Sequence, residues 1–281
     1  MGARGYGEAH GAISVLNAIP TGFGGAVGVD LKVRAWASLG GAGVTGYTVT
    51  RGSKIVIEER ILRAIRKVIS SRLPGIGGFS VVVESDIPFA SGLKGSSALV
   101  NSIIRAILDS MGVDASLEYI ARLGVEASRL AGITITGAFD DSLATIGSGV
   151  YITNNREDTL LGHYYPGKCY RVAIHVPPRA NPIENVDVRR FKALSRLYDL
   201  AFRMAVRGDW IGAMRLNGYL TAKAIGYGLD LIDEALGVEG VVAAGVSGKG
   251  PAVFAVFHGD IDLWVGRDGV IYTKMLGGLD C

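Results

Sequence analysis

The period of hydrophobic and polar positions changes several times along the chain, and each change marks an element. Residues 12–19 are apolar enough for a strand and run into Pro20-Thr21-Gly22-Phe23-Gly24-Gly25, a string of turn formers. Residues 27–37 alternate, and Val44–Thr50 is rich in β-branched side chains, so both are predicted strands. Over residues 54–71 the period lengthens. Ile57, Ile61, Ile65 and Val68/Ile69 fall on one helical face, Ser53 stands where a cap belongs, and Pro74-Gly75 stands where the helix must stop. Residues 79–84 return to strand.

The next stretch, Ile87-Pro88-Phe89-Ala90-Ser91-Gly92-Leu93-Lys94-Gly95-Ser96-Ser97-Ala98, leads into a helix with Leu99, Ile103, Ile107 and Met111 on one face and Val100 and Ile104 beside them. So broad an apolar surface predicts a buried helix that starts from a glycine-rich loop. Helices over 116–130 and 140–146 and a strand over 150–153 follow. Beyond residue 165 the pattern restarts, with a strand at 170–176, helices at 188–206 and 210–224, and strands at 241–246, 252–257, 262–265 and 270–274. The expectation is a two-domain α+β chain, 1–160 and 161–281, with the boundary inside 155–168.

Composition narrows the class. Of 281 residues, 49% are hydrophobic and 20% charged, which excludes a disordered chain. The 41 glycines are about twice the usual ~7%, a usage that calls for tight turns or close backbone approaches. A net charge of +3 is too small to mark a nucleic-acid partner. Residues 11–29 carry no charge, but Asn17, Pro20, Thr21 and five glycines make them a poor membrane span and a poor secretory signal, so the expected setting is cytoplasmic, with no membrane partner. Cys169 and Cys281 form no metal spacing and no disulfide framework, and a reducing compartment is the default. His10, His163, His175 and His258 show no metal-ligand spacing and read as structural or surface residues.

Three glycine-rich segments stand apart from ordinary turns: residues 21–28, residues 92–98, and Gly245-Val246-Ser247-Gly248-Lys249-Gly250-Pro251. In the second, glycines let backbone N–H groups converge, Ser96 and Ser97 add hydroxyls, and a helix begins at once. A helix N-terminus carries free N–H groups and a partial positive charge, which suits a phosphate. The same residues also suit a plain helix cap made by Ser96 or Ser97. No Walker-type G-x-x-x-x-G-K-[ST], no dinucleotide fingerprint at strand spacing and no protein-kinase catalytic loop is present. Asp140 and Asp141 sit in a weakly charged stretch. Neighbouring side chains on a helix point apart, so the natural division is one N-cap and one functional acid, the alternative being that both are caps.

Together these segments resemble the GHMP kinase superfamily (galacto-, homoserine, mevalonate and phosphomevalonate kinases). The central loop is similar to its P-x-x-x-G-L-G-S-S-A motif, residues 245–252 are similar to its C-terminal glycine loop, and Asp140, seven residues before Gly147, fits the register of its catalytic acid. The lysine-containing loop Gly92-Leu93-Lys94-Gly95-Ser96-Ser97-Ala98 most resembles that of archaeal-type shikimate kinases, as do Asn17-Ala18-Ile19, residues 25–31, residues 137–141 and residues 184–187.

The resemblance implies an S5-like N-terminal domain and a ferredoxin-like C-terminal domain. It implies ATP with its phosphates on Pro88, Phe89, Ala90, Ser91, Gly92, Leu93, Lys94, Gly95, Ser96, Ser97 and Ala98, closed over by Gly248 and Gly250. Mg²⁺ would be bridged by Ser97 or its neighbour Ser96 and by Glu126, and Asp140 would be the catalytic acid. The implied activity is transfer of the ATP γ-phosphoryl group to the 3-hydroxyl of shikimate by a monomer or homodimer. Homoserine or mevalonate as acceptor, or a metabolite sensor without turnover, are the alternatives. Many members place a lysine in the first loop, where this chain has Phe23. Shikimate carries a carboxylate, so a cation should meet it, with Arg179, Arg189 and Arg190 as candidates and Asp30 as a partner for a ring hydroxyl.

Overall fold

The computed structural model describes residues 4–50, 52–88, 90–177 and 187–279. Its first half is a seven-stranded sheet of β1 (Arg4–Leu16), β2 (Phe23–Leu39), β3 (Val44–Thr50), β4 (Ser53–Val56), β5 (Phe79–Ser85), β6 (Val150–Asn154) and β7 (Thr159–Tyr164). The order is β4-β3-β5-β2-β6-β7, with β1 also paired to β2, and only the β3–β5 pair is parallel. Four helices pack with this sheet: α1 (Glu59–Ser70), α2 (Gly95–Ser110), α3 (Leu117–Leu130) and α4 (Phe139–Ile146). The buried side chains of α2 lie over β1, where the glycines are needed. A Cβ on Gly7 would stand 2.2 Å from the Ser102 carbonyl oxygen, so only a bare backbone lets α2 approach so closely.

The second half holds a four-stranded antiparallel sheet ordered β11-β8-β10-β9, from β8 (Arg171–His175), β9 (Val241–Val246), β10 (Val253–Phe257) and β11 (Val270–Lys274). Its helices are α5 (Val188–Ala193), α6 (Ser195–Val206), α7 (Trp210–Ile225) and α8 (Asp230–Leu236). The halves are stitched together: Val29 bridges Met275, and α6 and α7 both reach β1. Phe23 stacks on Phe202 of α6 with ring centroids 4.0 Å apart.

Several expectations need correction. Residues 53–56 are not the start of a helix. They form β4, a fully exposed strand that pairs with β3, and α1 begins only after Glu58. A strand exposed along its whole length shows no alternation to betray it. Residues 262–265 are a turn in which Trp264 adopts φ +60° while its ring is buried. The segment 188–206 is two helices, divided at Leu194. The expected boundary at 160/161 falls inside β7, which pairs with β6, so the first sheet runs on to Tyr164. Cys169 is held in a disulfide, where composition had suggested an uncrosslinked chain. Among the described residues no helix is long and apolar enough to cross a membrane.

Candidate active site

Helices α2 and α4 both begin at a residue forced into the left-handed region, Lys94 at φ +62° and Ala138 at φ +54°, and neither helix is capped by a side chain. Left-handed non-glycine residues are costly and persist where surrounding structure holds them, often at sites. The missing cap decides between the two readings of the central loop. Ser96 and Ser97 do not close the end of α2, so its first-turn N–H groups stay open to an anion.

Both helix starts open into a cavity of about 480 Å³. Pro88, Ala90, Ser91, Gly92, Lys94, Gly95, Ser96 and Ser97 line it, as do Gly248, Lys249 and Gly250 from the third glycine loop and Asn17, Ala18 and Ile19 after β1. Leu93 and Ala98 do not: both side chains are in the core, and the Ala98 N–H is spent on the Lys94 carbonyl. Phe89 lies outside the described residues. The loops are tied to one another. Ser247 Oγ donates to the Gly92 carbonyl at 2.9 Å, the Ala252 N–H to the Ser91 carbonyl at 3.0 Å, and Asn17 Nδ2 to the Gly248 carbonyl at 2.9 Å.

Asp140 and Asp141 both face this cavity, and neither caps a helix, so the expected division into one cap and one acid does not hold. Asp140 is buried at 3% exposure, and its Oδ1 accepts from Asn155 Nδ2 at 2.7 Å. Asn155 also takes the Asp140 N–H on its Oδ1 and the Thr153 hydroxyl at 2.6 Å, so the carboxylate is clamped from behind. Gly24 packs against it so tightly that a Cβ there would lie 2.6 Å from Asp140 Oδ2. Burial first, and then the Asp141 charge, push the Asp140 carboxyl up to about 7, while Lys94 and Asn155 pull it down.

Lys94 Nζ stands 2.8 Å from Asp141 Oδ1, which is buried and makes no hydrogen bond, so the contact is an ion pair without hydrogen-bond alignment. The cation beside the acid pair is therefore Lys94. The first-loop position Phe23 is given over to the stack between the two halves.

Other expected site residues lie elsewhere. Glu126 does not line the cavity. It is exposed and bonded to Arg72, because Ser128, which does line the cavity, sits about 200° round α3 from it. Arg189 is on the surface at 91% side-chain exposure, paired with Asp187 at 3.0 Å, and Arg190 donates to the Lys223 carbonyl. Asp30 projects from β2 toward His10 and outside the cavity wall. Arg179 lies outside the described residues. Among the described residues the cations lining the cavity are Lys94 and Lys249, and no arginine does so. Asn155, which holds Asp140, and the cavity hydroxyls of Thr48, Thr50 and Ser85 escaped the sequence reading.

The GHMP kinases N terminal domain model matches residues 59–149, which carry the central loop and both aspartates. Shikimate kinase from Methanothrix thermoacetophila is 38% identical over 276 residues, covering 98% of this chain and 91% of the relative. That from Thermococcus kodakarensis is 36% identical over 249 residues, 89% of this chain and 90% of the relative. The chain belongs to the shikimate kinase family of the GHMP kinases. Solved structures agree on the fold. A homoserine kinase from Cytophaga hutchinsonii superimposes with a TM-score of 0.74 at 15% identity, covering 98% of this chain and 96% of that one. A galactokinase from Lactococcus lactis does so at 0.71 and 13%, covering 98% and 94%. For a shikimate kinase of this family the uncapped α2 end, the loop lysine and the buried acid all open into one cavity, the arrangement a phosphoryl transfer needs.

Proposed function

We propose that the chain transfers the γ-phosphoryl group of ATP to the 3-hydroxyl of shikimate through Asp140. The observation that carries this reading is the meeting, in one cavity, of an uncapped helix end and a buried carboxylate whose pKa stands near neutrality. The open N–H groups of α2 and the Lys94 ammonium offset charge on the phosphates. Asp140 receives the proton of the attacking hydroxyl as the new O–P bond forms and the bond from the γ-phosphorus to the bridging oxygen breaks, releasing ADP, and a pKa of about 7 suits a group that must be ionised before the step and protonated after it. Asn155 and Gly24 keep that carboxylate in one orientation.

The donors at the cavity wall also fit Mg²⁺ held jointly with phosphate oxygens. The Asp141 carboxylate, one oxygen of which pairs with Lys94 at 2.8 Å, and the Ser96 and Ser97 hydroxyls line the same wall and would hold the ion. Among the described residues no group of three His, Cys, Asp or Glu is placed to hold an ion unaided, so the phosphates would complete the set. When bound, the ion neutralises phosphate charge.

The test is ATP consumption by the purified protein with shikimate, homoserine or mevalonate. Shikimate should support turnover at least about a hundredfold above the others, a margin that a site built to hydrogen-bond one polar substrate can reach. Equal or better turnover with another alcohol overturns the assignment.

A further inference from the structure

Strand β1 ends at Leu16, and the next N–H, that of Asn17, has left the sheet without a strand partner. It is met at 2.8 Å by Asn217 Oδ1, from α7 in the other half of the molecule and 200 residues away. Asn217 is fully buried, and its Nδ2 has no hydrogen-bond partner. Its Oδ1 also accepts from the Thr221 hydroxyl at 3.5 Å, and Thr221 in turn meets the Tyr198 hydroxyl at 3.2 Å.

A buried amide with a vacant donor is unfavourable for folding, and an apolar side chain would avoid that loss. Packing therefore does not account for asparagine at this position. What the amide supplies is one acceptor oxygen, and that oxygen holds a peptide on the cavity wall. Asn17 lines the cavity, receives the Ile19 N–H on its own Oδ1, and donates from Nδ2 to the Gly248 carbonyl. The Gly248 N–H is held in turn by Ser14 Oγ at 2.9 Å. Fixing Asn17 thus fixes both the wall at residues 17–19 and the third glycine loop.

We infer that Asn217 is a positioning residue for the acceptor alcohol, acting through Asn17. Residues 17–19 stand on the cavity wall together with Asp140, whereas the central and third glycine loops are also held independently of Asn17, by Ser14 Oγ on the Gly248 N–H, Ser247 Oγ on the Gly92 carbonyl and the Ala252 N–H on the Ser91 carbonyl, so displacing residues 17–19 should move the acceptor more than the phosphates. The inference rests on the reading given above of what this cavity binds.

The test is steady-state kinetics on the full chain, with wild type, N217A and N217D. N217A should raise KM for shikimate about tenfold and leave KM for ATP within about twofold, as expected for one lost hydrogen bond that orders one substrate only. N217D keeps the acceptor oxygen and replaces only the unpartnered amide nitrogen, so it should hold KM for shikimate within about threefold of wild type even if it melts earlier. Should N217A fail to fold, N217V, nearer to asparagine in volume and without the acceptor, takes its place in every comparison.

A lower melting temperature with both KM values unchanged, an equal rise in KM for ATP, or N217D as impaired as N217A would each overturn the inference. A wild-type protein that turns over a different alcohol would defeat the assignment of shikimate alone. The same variants would then be compared on that alcohol.

Discussion

Burial and the Asp141 charge raise the Asp140 carboxyl to about 7, with Lys94 as the main opposing charge. If Asp140 must be ionised to receive the hydroxyl proton, kcat/KM rises with pH through about 7 and levels off above it. Removing the ammonium in K94M takes away an influence that lowers this pKa, so the limb should move to higher pH and kcat should fall. A pH–rate profile of the two proteins checks this, and an unmoved limb in K94M would show that another group titrates. The cation beside the acid pair is a residue of the central glycine loop.

At the scale of elements, the site depends on α2 and α4 holding a fixed relation, because their N-termini carry the phosphate cradle and the acid. Asn101 of α2 enforces it. Its buried Nδ2 donates to the Ser142 carbonyl at 3.0 Å, to Ser142 Oγ at 2.9 Å and to Thr145 Oγ1 at 2.9 Å, all on α4. Replacing it with alanine should lower the unfolding free energy by about 2–3 kcal/mol, through lost hydrogen bonds and polar groups left unpaired. Denaturant unfolding measures this, and a loss below about 0.5 kcal/mol would show the clamp to be idle.

Elements with a buried face were legible in the sequence. The period of α2, the valines of β5 and the alternation of β2 all reflect contact with one core. Elements without such a face were not: β4 is exposed throughout, β7 is an edge strand with Leu160 and Leu161 at the surface, and α8 is only seven residues long. The site followed a similar division. The central and third glycine loops stood out by composition and the family resemblance picked Asp140 from the acid pair, and all of them reach the cavity. Spacing does not fix the face of a helix, so Glu126 was assigned to the metal although it points outward. Nor does spacing reveal that Asn155 or Asn217 meets residues far away along the chain.

Across the whole molecule, the second half completes a site that the first half begins. The third glycine loop is anchored to the central loop through Ser247 and Ala252, and α7 reaches back to the end of β1 through Asn217. In the function proposed above, nucleotide and acceptor would share one cavity with separate supports, phosphates on the amides of α2 and the alcohol against Asp140. The most direct check of that division is to measure ATP binding by calorimetry and shikimate-dependent ADP release on the wild type and D140A side by side. The account predicts ATP affinity within about twofold and ADP release slower by about 10²–10⁴-fold. A folded D140A protein that releases ADP at the wild-type rate would contradict it.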